Sequence, residues 1–291
     1  MFEVAYFKIY AYERYTVGMT KPVTKCFVGH ARPGSSLQWF PTPCEEYDRA
    51  PSQKEIARCE GLVLESVDEV RLSSYYARLV TSLSSSSLKD EQEQTSVAVT
   101  AEGHERDGES GIDGDARESK YIETLNHMVM YGLGSLQQPK DVHIRYQLGL
   151  AILLARLISE GLEDCPLAYD PVSTELDKAV LEKFGFRVMK ENEQGRRVAR
   201  SPTLFFMPHC DADLTCALLN ENIKAGTLAN VIILGNSIKK YAEQYALDRS
   251  RKDLETFAVL VEKKSNCETP LDDSDFPVIG AFNDLSLHTF N

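Results

Sequence analysis

The sequence predicts an α/β protein: a Rossmann-like, doubly wound, mostly parallel sheet with helices on both faces. Two observations carry this. From residue 127 onward, strand-like and helix-like segments alternate. The strand-like segments are unbroken apolar runs (HMVMY, TLFFM, NVIIL), as expected of strands covered on both faces by helices.

The elements follow in order. Residues 1–51 read as an N-terminal extension. Within it, Phe2–Tyr12 is dense in aromatic and β-branched residues and reads as a strand. Residues 30–51 are punctuated by Ala31-Arg32-Pro33-Gly34 and Pro41-Thr42-Pro43 and read as irregular. Residues 52–291 read as the α/β domain. Two capping-box signatures enter it, Ser52…Glu55 and Ser66…Glu69, the second expected to open a helix over 67–83. Residues 84–118 contain no aromatic residue and carry ten acids against three bases from 89 onward. Such a segment cannot bury enough apolar surface to offset its ordering entropy, so it reads as a disordered acidic insert. Either it is a tolerated loop or its serines are phosphorylated.

After the insert, His127–Tyr131 is a strand ending in Gly132-Leu133-Gly134. Ile144–Ile158 is apolar almost all round, a helix covered on most sides. Pro166–Asp170 is a second strand, Thr174–Phe184 a helix stopped by Gly185, and Phe186–Met189 a third strand. Thr203–Met207 is a fourth, followed by a helix over 212–223. Asn230–Leu234 is a fifth, then a helix over 239–263 and a tail, Phe276–Asn291.

Charge and composition narrow the function. The net charge is -12, of which the insert supplies -7. An acidic chain lacks the basic face that non-specific nucleic-acid binding needs, and it is a poor match for an anionic membrane. The longest apolar run, Leu148–Ala155, falls far short of the roughly 20 residues that span a bilayer. Glu3, Lys8, Glu13 and Arg14 interrupt any signal-peptide core. Seven scattered cysteines with no CxxC fit reduced thiols in a cytosolic or nuclear setting and give no metal-site spacing. No metal is expected.

Parallel sheets place their sites at the C-terminal strand ends. Here those ends hold Gly132 and Gly134, Asp170, His209 and Cys210, and Gly235, Asn236 and Ser237. Gly132-Leu133-Gly134 is a partial phosphate-loop signature whose third glycine is replaced by Gln137. The glycines either admit a nucleotide-like ligand or merely turn the chain. Asp170 is suited to a ligand hydroxyl, and Pro171 biases it toward an extended backbone. His209 beside Cys210 invites a thiolate reading, yet neighbours on a strand point to opposite faces. Asp211 either caps the helix that follows or joins His209 and Asp213 at a metal, a spacing that is not diagnostic. Asn236 and Ser237 either offer donors to a ligand or cap the next helix. Asp284 and His288 share a face in either a helix or a strand, which points to a structural Asp–His pair ahead of catalysis. Arg145, Arg187, Arg196, Arg197 and Arg200 give a local basic bias, either a solvated face or an anion contact.

Several of these stretches together resemble one known family. Val129-Met130-Tyr131-Gly132-Leu133-Gly134-Ser135 followed by Arg145-Tyr146-Gln147-Leu148 resembles the opening of the SRR-like domain (sensitivity to red light reduced). Tyr169-Asp170-Pro171, the 191–197 stretch ENEQGRR, Phe206-Met207-Pro208-His209-Cys210, Ile233-Leu234-Gly235-Asn236-Ser237 and the 282–288 stretch FNDLSLH follow in the family's order. The resemblance covers about 119–291, with the helix of 67–83 as its front piece. It implies a regulatory role: red-light and circadian signalling in plants, cell-division and haem-linked roles in fungi and animals. It implies no particular enzymatic activity, and the catalytic residues stay unassigned.

Two classes of function follow. The first is an intracellular regulatory protein that binds a protein partner or small-molecule ligand at the strand ends, with Asp170 and His209 as polar anchors. The second is a nucleotide-cofactor-dependent transferase, such as one using S-adenosylmethionine, although no acid precedes Gly132 as methyltransferases usually have. The candidate ligands are a nucleotide-like molecule, S-adenosylmethionine and haem.

Overall fold

The computed structural model describes residues 7–15, 23–31, 38–42, 49–85, 124–137 and 142–291. The expected insert therefore lies outside the described residues except for its first two. Near the N-terminus, β1 (Phe7–Tyr15), β2 (Val23–Ala31) and β3 (Gln38–Thr42) form an antiparallel sheet in that order. β1 sits later than the expected Phe2–Tyr12. Residues 38–42, expected to be irregular, are a strand. β3 lies at the sheet edge, the place where a strand tolerates a proline such as Pro41.

The α/β part opens with α1 (Gln53–Leu72), capped by Ser52. The Ser52 Oγ accepts from Glu55 N at 3.3 Å, and the Glu55 carboxylate accepts from Ser52 N at 2.8 Å. The Ser66…Glu69 signature does not open a helix. Both residues lie inside α1, where the Ser66 hydroxyl donates to the Leu62 carbonyl at 3.1 Å, the usual recourse of a mid-helix serine. The break comes at Ser73, whose Oγ donates to Val70 O and accepts from Tyr76 N, and α2 (Ser74–Ser85) follows.

A seven-stranded sheet forms the centre. Its strands are β4 (His127–Tyr131), β5 (Leu167–Tyr169), β6 (Arg187–Val188), β7 (Thr203–Met207), β8 (Val231–Asn236), β9 (Asn266–Pro270) and β10 (Leu285–Phe290). The spatial order is β6-β5-β4-β7-β8-β10-β9. The first five run parallel, while β10 is antiparallel to both its neighbours, β8 and β9. The helices are α3 (Val142–Leu157), α4 (Glu175–Lys183), α5 (Ala212–Ala225), α6 (Ile238–Leu247) and α7 (Glu255–Glu262).

Alternate residues of each strand enter separate cores. Met128, Met130, Leu204, Phe206, Ile232 and Leu234 pack with residues of α1, α2, α3 and α4. Val129, Tyr131, Phe205, Met207, Val231 and Ile233 pack with α5, α6 and α7. Both faces of the sheet are therefore covered, which explains the unbroken apolar runs. Tyr75 stacks on Phe282 at 4.5 Å, and Phe276 meets Phe282 edge-on at 4.7 Å, so α2 is fastened to the segment before β10.

Two C-terminal expectations need correction. The helix over 239–263 is broken between α6 and α7. Asp248 accepts from both the backbone N and the hydroxyl of Ser250, and this local turn competes with helix continuation. β9 and β10 are antiparallel partners, β9 preceding the Phe276–Asn291 tail and β10 lying within it. β9 reads NCETP, too polar to announce a strand.

α1 and α3 pack closely because Gly149 has no side chain. A Cβ there would lie 3.1 Å from Val67 N and 3.2 Å from the Ser66 carbonyl carbon, both backbone atoms of α1. Replacing Gly149 with Val is expected to lower stability by about 1–3 kcal/mol, the usual cost of overpacking. Urea unfolding checks this, and an unchanged midpoint would mean the helices separate freely.

Candidate functional site at the strand ends

The parallel strands finish along one edge, and each turn there is held by a side chain from a neighbouring strand. After β4, Gly132 takes φ +69° and donates its N–H to the Tyr169 carbonyl at 3.2 Å. A Cβ at Gly132 would stand 2.4 Å from the Cys210 Sγ. Conformation and space both demand glycine here.

Asp170, just beyond β5, accepts from Gly134 N at 2.7 Å through Oδ2 and from Val172 N at 2.8 Å through Oδ1. Burial raises its carboxyl pKa, and those two backbone donors oppose the shift. Asp177 does similar work. It is 1% exposed, and its Oδ1 accepts from Leu136 N at 2.8 Å while its Oδ2 accepts from Thr174 N and Oγ1 at the start of α4. Two carboxylates thus clamp the 132–137 turn to the segment after β5. Asp170→Asn is not a silent change, because an amide NH2 cannot replace an oxygen that accepts a backbone N–H.

After β7 the chain turns through His209, a non-glycine residue at φ +54°. Asn236, at the end of β8, holds this turn. Its Oδ1 accepts from His209 N at 3.2 Å, and its Nδ2 donates to the Cys210 carbonyl at 3.0 Å and to the Tyr241 hydroxyl at 2.8 Å. Cys210 is buried and its thiol donates to the Tyr131 carbonyl at 3.4 Å. Burial pushes this thiol far above its ordinary range, with Asp170 and Asp211 adding to the shift. Burial thus disfavours the thiolate, the form in which cysteine is nucleophilic. His209 remains exposed. Desolvation lowers its pKa and nearby His143 adds to the shift, while hydrogen bonds to the backbone of Ala281 and Gly280 and the Asp284 charge oppose it.

Gly132, Gly134, Asp170, His209, Cys210, Gly235, Asn236 and Ser237 therefore meet at one edge. Ser237 caps α6, accepting from Lys240 N at 3.2 Å; Asn236 does not. Asp211 occupies the N-cap position of α5 without a side-chain cap bond. Asp284 and His288 do not pair. Asp284 lies before β10 at φ +61° and forms an ion pair with Lys240. His288 is fully buried and its Nε2–H donates to the Asn236 carbonyl at 3.0 Å. Arg145 has no hydrogen-bond partner among the described residues; its charge acts on Cys59 of α1 and on Tyr146. Among the described residues, no three His, Cys, Asp or Glu side chains are placed to hold a metal, and no helix is long and apolar enough to cross a membrane.

Three supporting groups escaped the sequence reading. Asp177 was signalled by Thr174-x-x-Asp177, a capping box with Asp in the usual Glu position. Glu193 accepts from the Tyr131 hydroxyl at 3.0 Å and from Nε and Nη2 of Arg197 at 2.9 and 2.6 Å. Glu268 has a buried carboxylate that accepts from Ser237 Oγ at 2.6 Å, Lys239 N at 2.9 Å and Ser286 Oγ at 3.3 Å, and it lies 3.8 Å from the His288 Nδ1. Glu193 stands in the ENEQGRR stretch four residues before Arg197, whereas no local signal marked Glu268.

Comparison with known proteins fits this architecture. The SRR1 domain matches residues 84–289, and the chain belongs to that family. It is 35% identical over 172 residues to "Protein SENSITIVITY TO RED LIGHT REDUCED 1" of Arabidopsis thaliana, covering 58% of this chain and 60% of the plant protein. It is 30% identical over 183 residues to an SRR1-like protein of Mus musculus, covering 62% of this chain and 71% of the mouse protein. An SRR1-like protein of Drosophila melanogaster is 34% identical over 169 residues, 57% of this chain and 55% of the fly protein. No solved structure matches.

Gly132→Ala is expected to cost at least about 2 kcal/mol, from the left-handed backbone and the thiol contact together. Adding Cys210→Ala should recover part of that loss in urea unfolding; no recovery would place the whole cost in the backbone. A second expectation concerns acid. Burial lowers the His288 pKa from 6.5, while Glu268 raises it and Lys239 lowers it. The folded protein thus binds a proton at His288 less readily than the unfolded chain. Stability should be full above pH 6.5 and fall as pH drops below it. In His288→Gln this acid sensitivity between pH 7.5 and 5.5 should weaken. An equal slope in both proteins would remove His288 from the account.

Proposed function

We propose that this chain is an intracellular regulatory protein of the SRR family, acting in the cytoplasm or nucleus. Its Rossmann-like, doubly wound domain offers the strand-end edge to a ligand or protein partner and does no chemistry there. The observation that carries this reading is the fate of the edge's reactive groups. Asp170 is engaged by two backbone donors, Asn236 by three partners, and the Cys210 thiol is buried and protonated. Among the described residues of this edge, no nucleophile stands beside a base. What faces solvent is recognition chemistry: the His209 ring, the Lys240–Asp284 pair, and Ile279, which is 97% exposed on the adjoining turn. An exposed aliphatic side chain beside polar groups suits a protein partner. The family's link to signalling, light response or cell division supports a regulatory role of that kind.

One observation favours the transferase reading. The order β6-β5-β4-β7-β8 reverses direction between β4 and β7, and open parallel sheets take ligands at such a reversal. Gly132, Gly134 and Asp170 stand there, and an adenine nucleotide or S-adenosylmethionine is the matching class.

The test uses His209→Asn and Ile279→Asp in the full chain. Asn tolerates the left-handed backbone, so the first variant removes the imidazole with little strain. Both variants should unfold like the parent and lose the cellular role. The purified parent should show no turnover of a methyl donor or nicotinamide cofactor. In a thermal-shift screen with S-adenosylmethionine, adenine nucleotides, NAD and haem, a true ligand at 100 times its Kd stabilises by about 2.7 kcal/mol. Turnover that disappears in Asp170→Ala would replace the regulatory reading with the transferase one.

A further inference from the structure

The strand-end edge leaves unused the arginines of the 187–200 stretch, and the structure gathers them at the opposite end of the sheet. The first residues of four parallel strands meet there: His127 of β4, Leu167 of β5, Arg187 of β6 and Thr203 of β7. A cleft of about 250 Å³ opens over these strand starts. Arg187, Arg197 and Arg200 line it, with Asp164 and Cys165 on the rim.

The three guanidiniums differ in how they are held. Arg197 is fixed by Glu193, which takes its Nε and Nη2. The Glu193–Tyr131 hydrogen bond anchors that pair to β4 in turn. Arg187 and Arg200 are exposed, and neither has a carboxylate partner among the described residues. His127 is held by Glu163 at 3.6 Å. Arg187 and Arg200 face one lining carboxylate, Asp164, with Glu163 beside His127.

We propose that this cleft binds the phosphate group of a small phosphomonoester. Two unpaired guanidinium forks on a concave wall match a tetrahedral dianion, which accepts several charge-assisted hydrogen bonds at once. Leu167, half-buried at the start of β5, offers an apolar contact to the ester's carbon part. Size decides against larger ligands. Drug-sized molecules and cofactors occupy roughly 300–1,000 Å³, so the cleft takes a headgroup and not a dinucleotide. The site is independent of the strand-end edge, and its failure would leave the proposed function untouched.

The test titrates the full-length protein with inorganic phosphate and with glycerol 2-phosphate, followed by amide chemical shifts. Saturable binding in the millimolar range is expected for both, stronger for the ester, with shifts centred on residues 127–129, 164–167 and 197–203. The double variant Arg187→Gln/Arg200→Gln should weaken binding at least tenfold while its melting temperature is unchanged, because both side chains are exposed. The charge-matched control Arg58→Gln/Arg71→Gln on α1 should bind like the parent. Equal weakening in the control would reduce the effect to overall charge, and absence of saturable binding to either probe would overturn the site.

Discussion

A strand buried on both faces can change direction only at its ends, because only there can its backbone meet water or a polar side chain. That constraint shapes the whole sheet. β4, β7 and β8 carry apolar residues on each side and lie between two separate cores. Every turn that joins them must satisfy its backbone groups within a few residues. The chain does this with side chains borrowed from the next strand: Asp170 and Asp177 for the turn after β4, Asn236 for the turn after β7. Asn222 plays a similar part at the far end, 0% exposed, accepting from Ala199 N and donating to the Arg197 carbonyl.

These brackets explain why polar residues at strand ends are ambiguous evidence of catalysis. A carboxylate at the mouth of a parallel sheet is well placed to receive a ligand hydroxyl, and equally well placed to hold a neighbouring loop. In this chain the loops have taken Asp170, and burial of Cys210 beneath Gly132 has taken the thiol. What protrudes at this edge is the His209 ring, the Lys240–Asp284 pair and Ile279. The relation between His288, Glu268 and Ser237 extends the same logic inward. A buried carboxylate at the start of α6 gathers one backbone N–H and two hydroxyls, which offsets the cost of removing it from water.

How much of this was legible depended on the kind of signal each residue carried. β4 and β7 were read to the residue, because an apolar pentapeptide bounded by turn residues has few other uses. The Ser52 cap was read correctly, and the Ser66 signature misled because the same spacing occurs inside a helix whenever serine bonds back to its own turn. β9 and β10 were missed as strands. β9 is polar, and the spacing of Asp284 and His288 in the tail fits a helix and a strand equally. The convergence of Gly132, Asp170, His209 and Asn236 followed from parallel topology alone. Their hydrogen-bond partners did not, since Asp170 accepts from Gly134 and Asn236 from His209 across distances in sequence that no local pattern encodes.

The packing of α1 bears on where the family's unit begins. The matched span starts at residue 84, yet Val63, Val67 and Val70 of α1 are at most 3% exposed, and Tyr75, Leu79 and Leu83 of α2 are wholly buried. Those of α1 cover α3, whose residues Leu148, Leu150 and Ala151 are themselves fully buried, and those of α2 join the same core beside Phe276 and Phe282. A polypeptide cut at the matched boundary would bare that greasy helix along its length, and such a fragment would be expected to clump or be degraded rather than report on the protein's biology. The stretch that most resembles its relatives is thus shorter than the stretch that must be synthesised for it to stand alone.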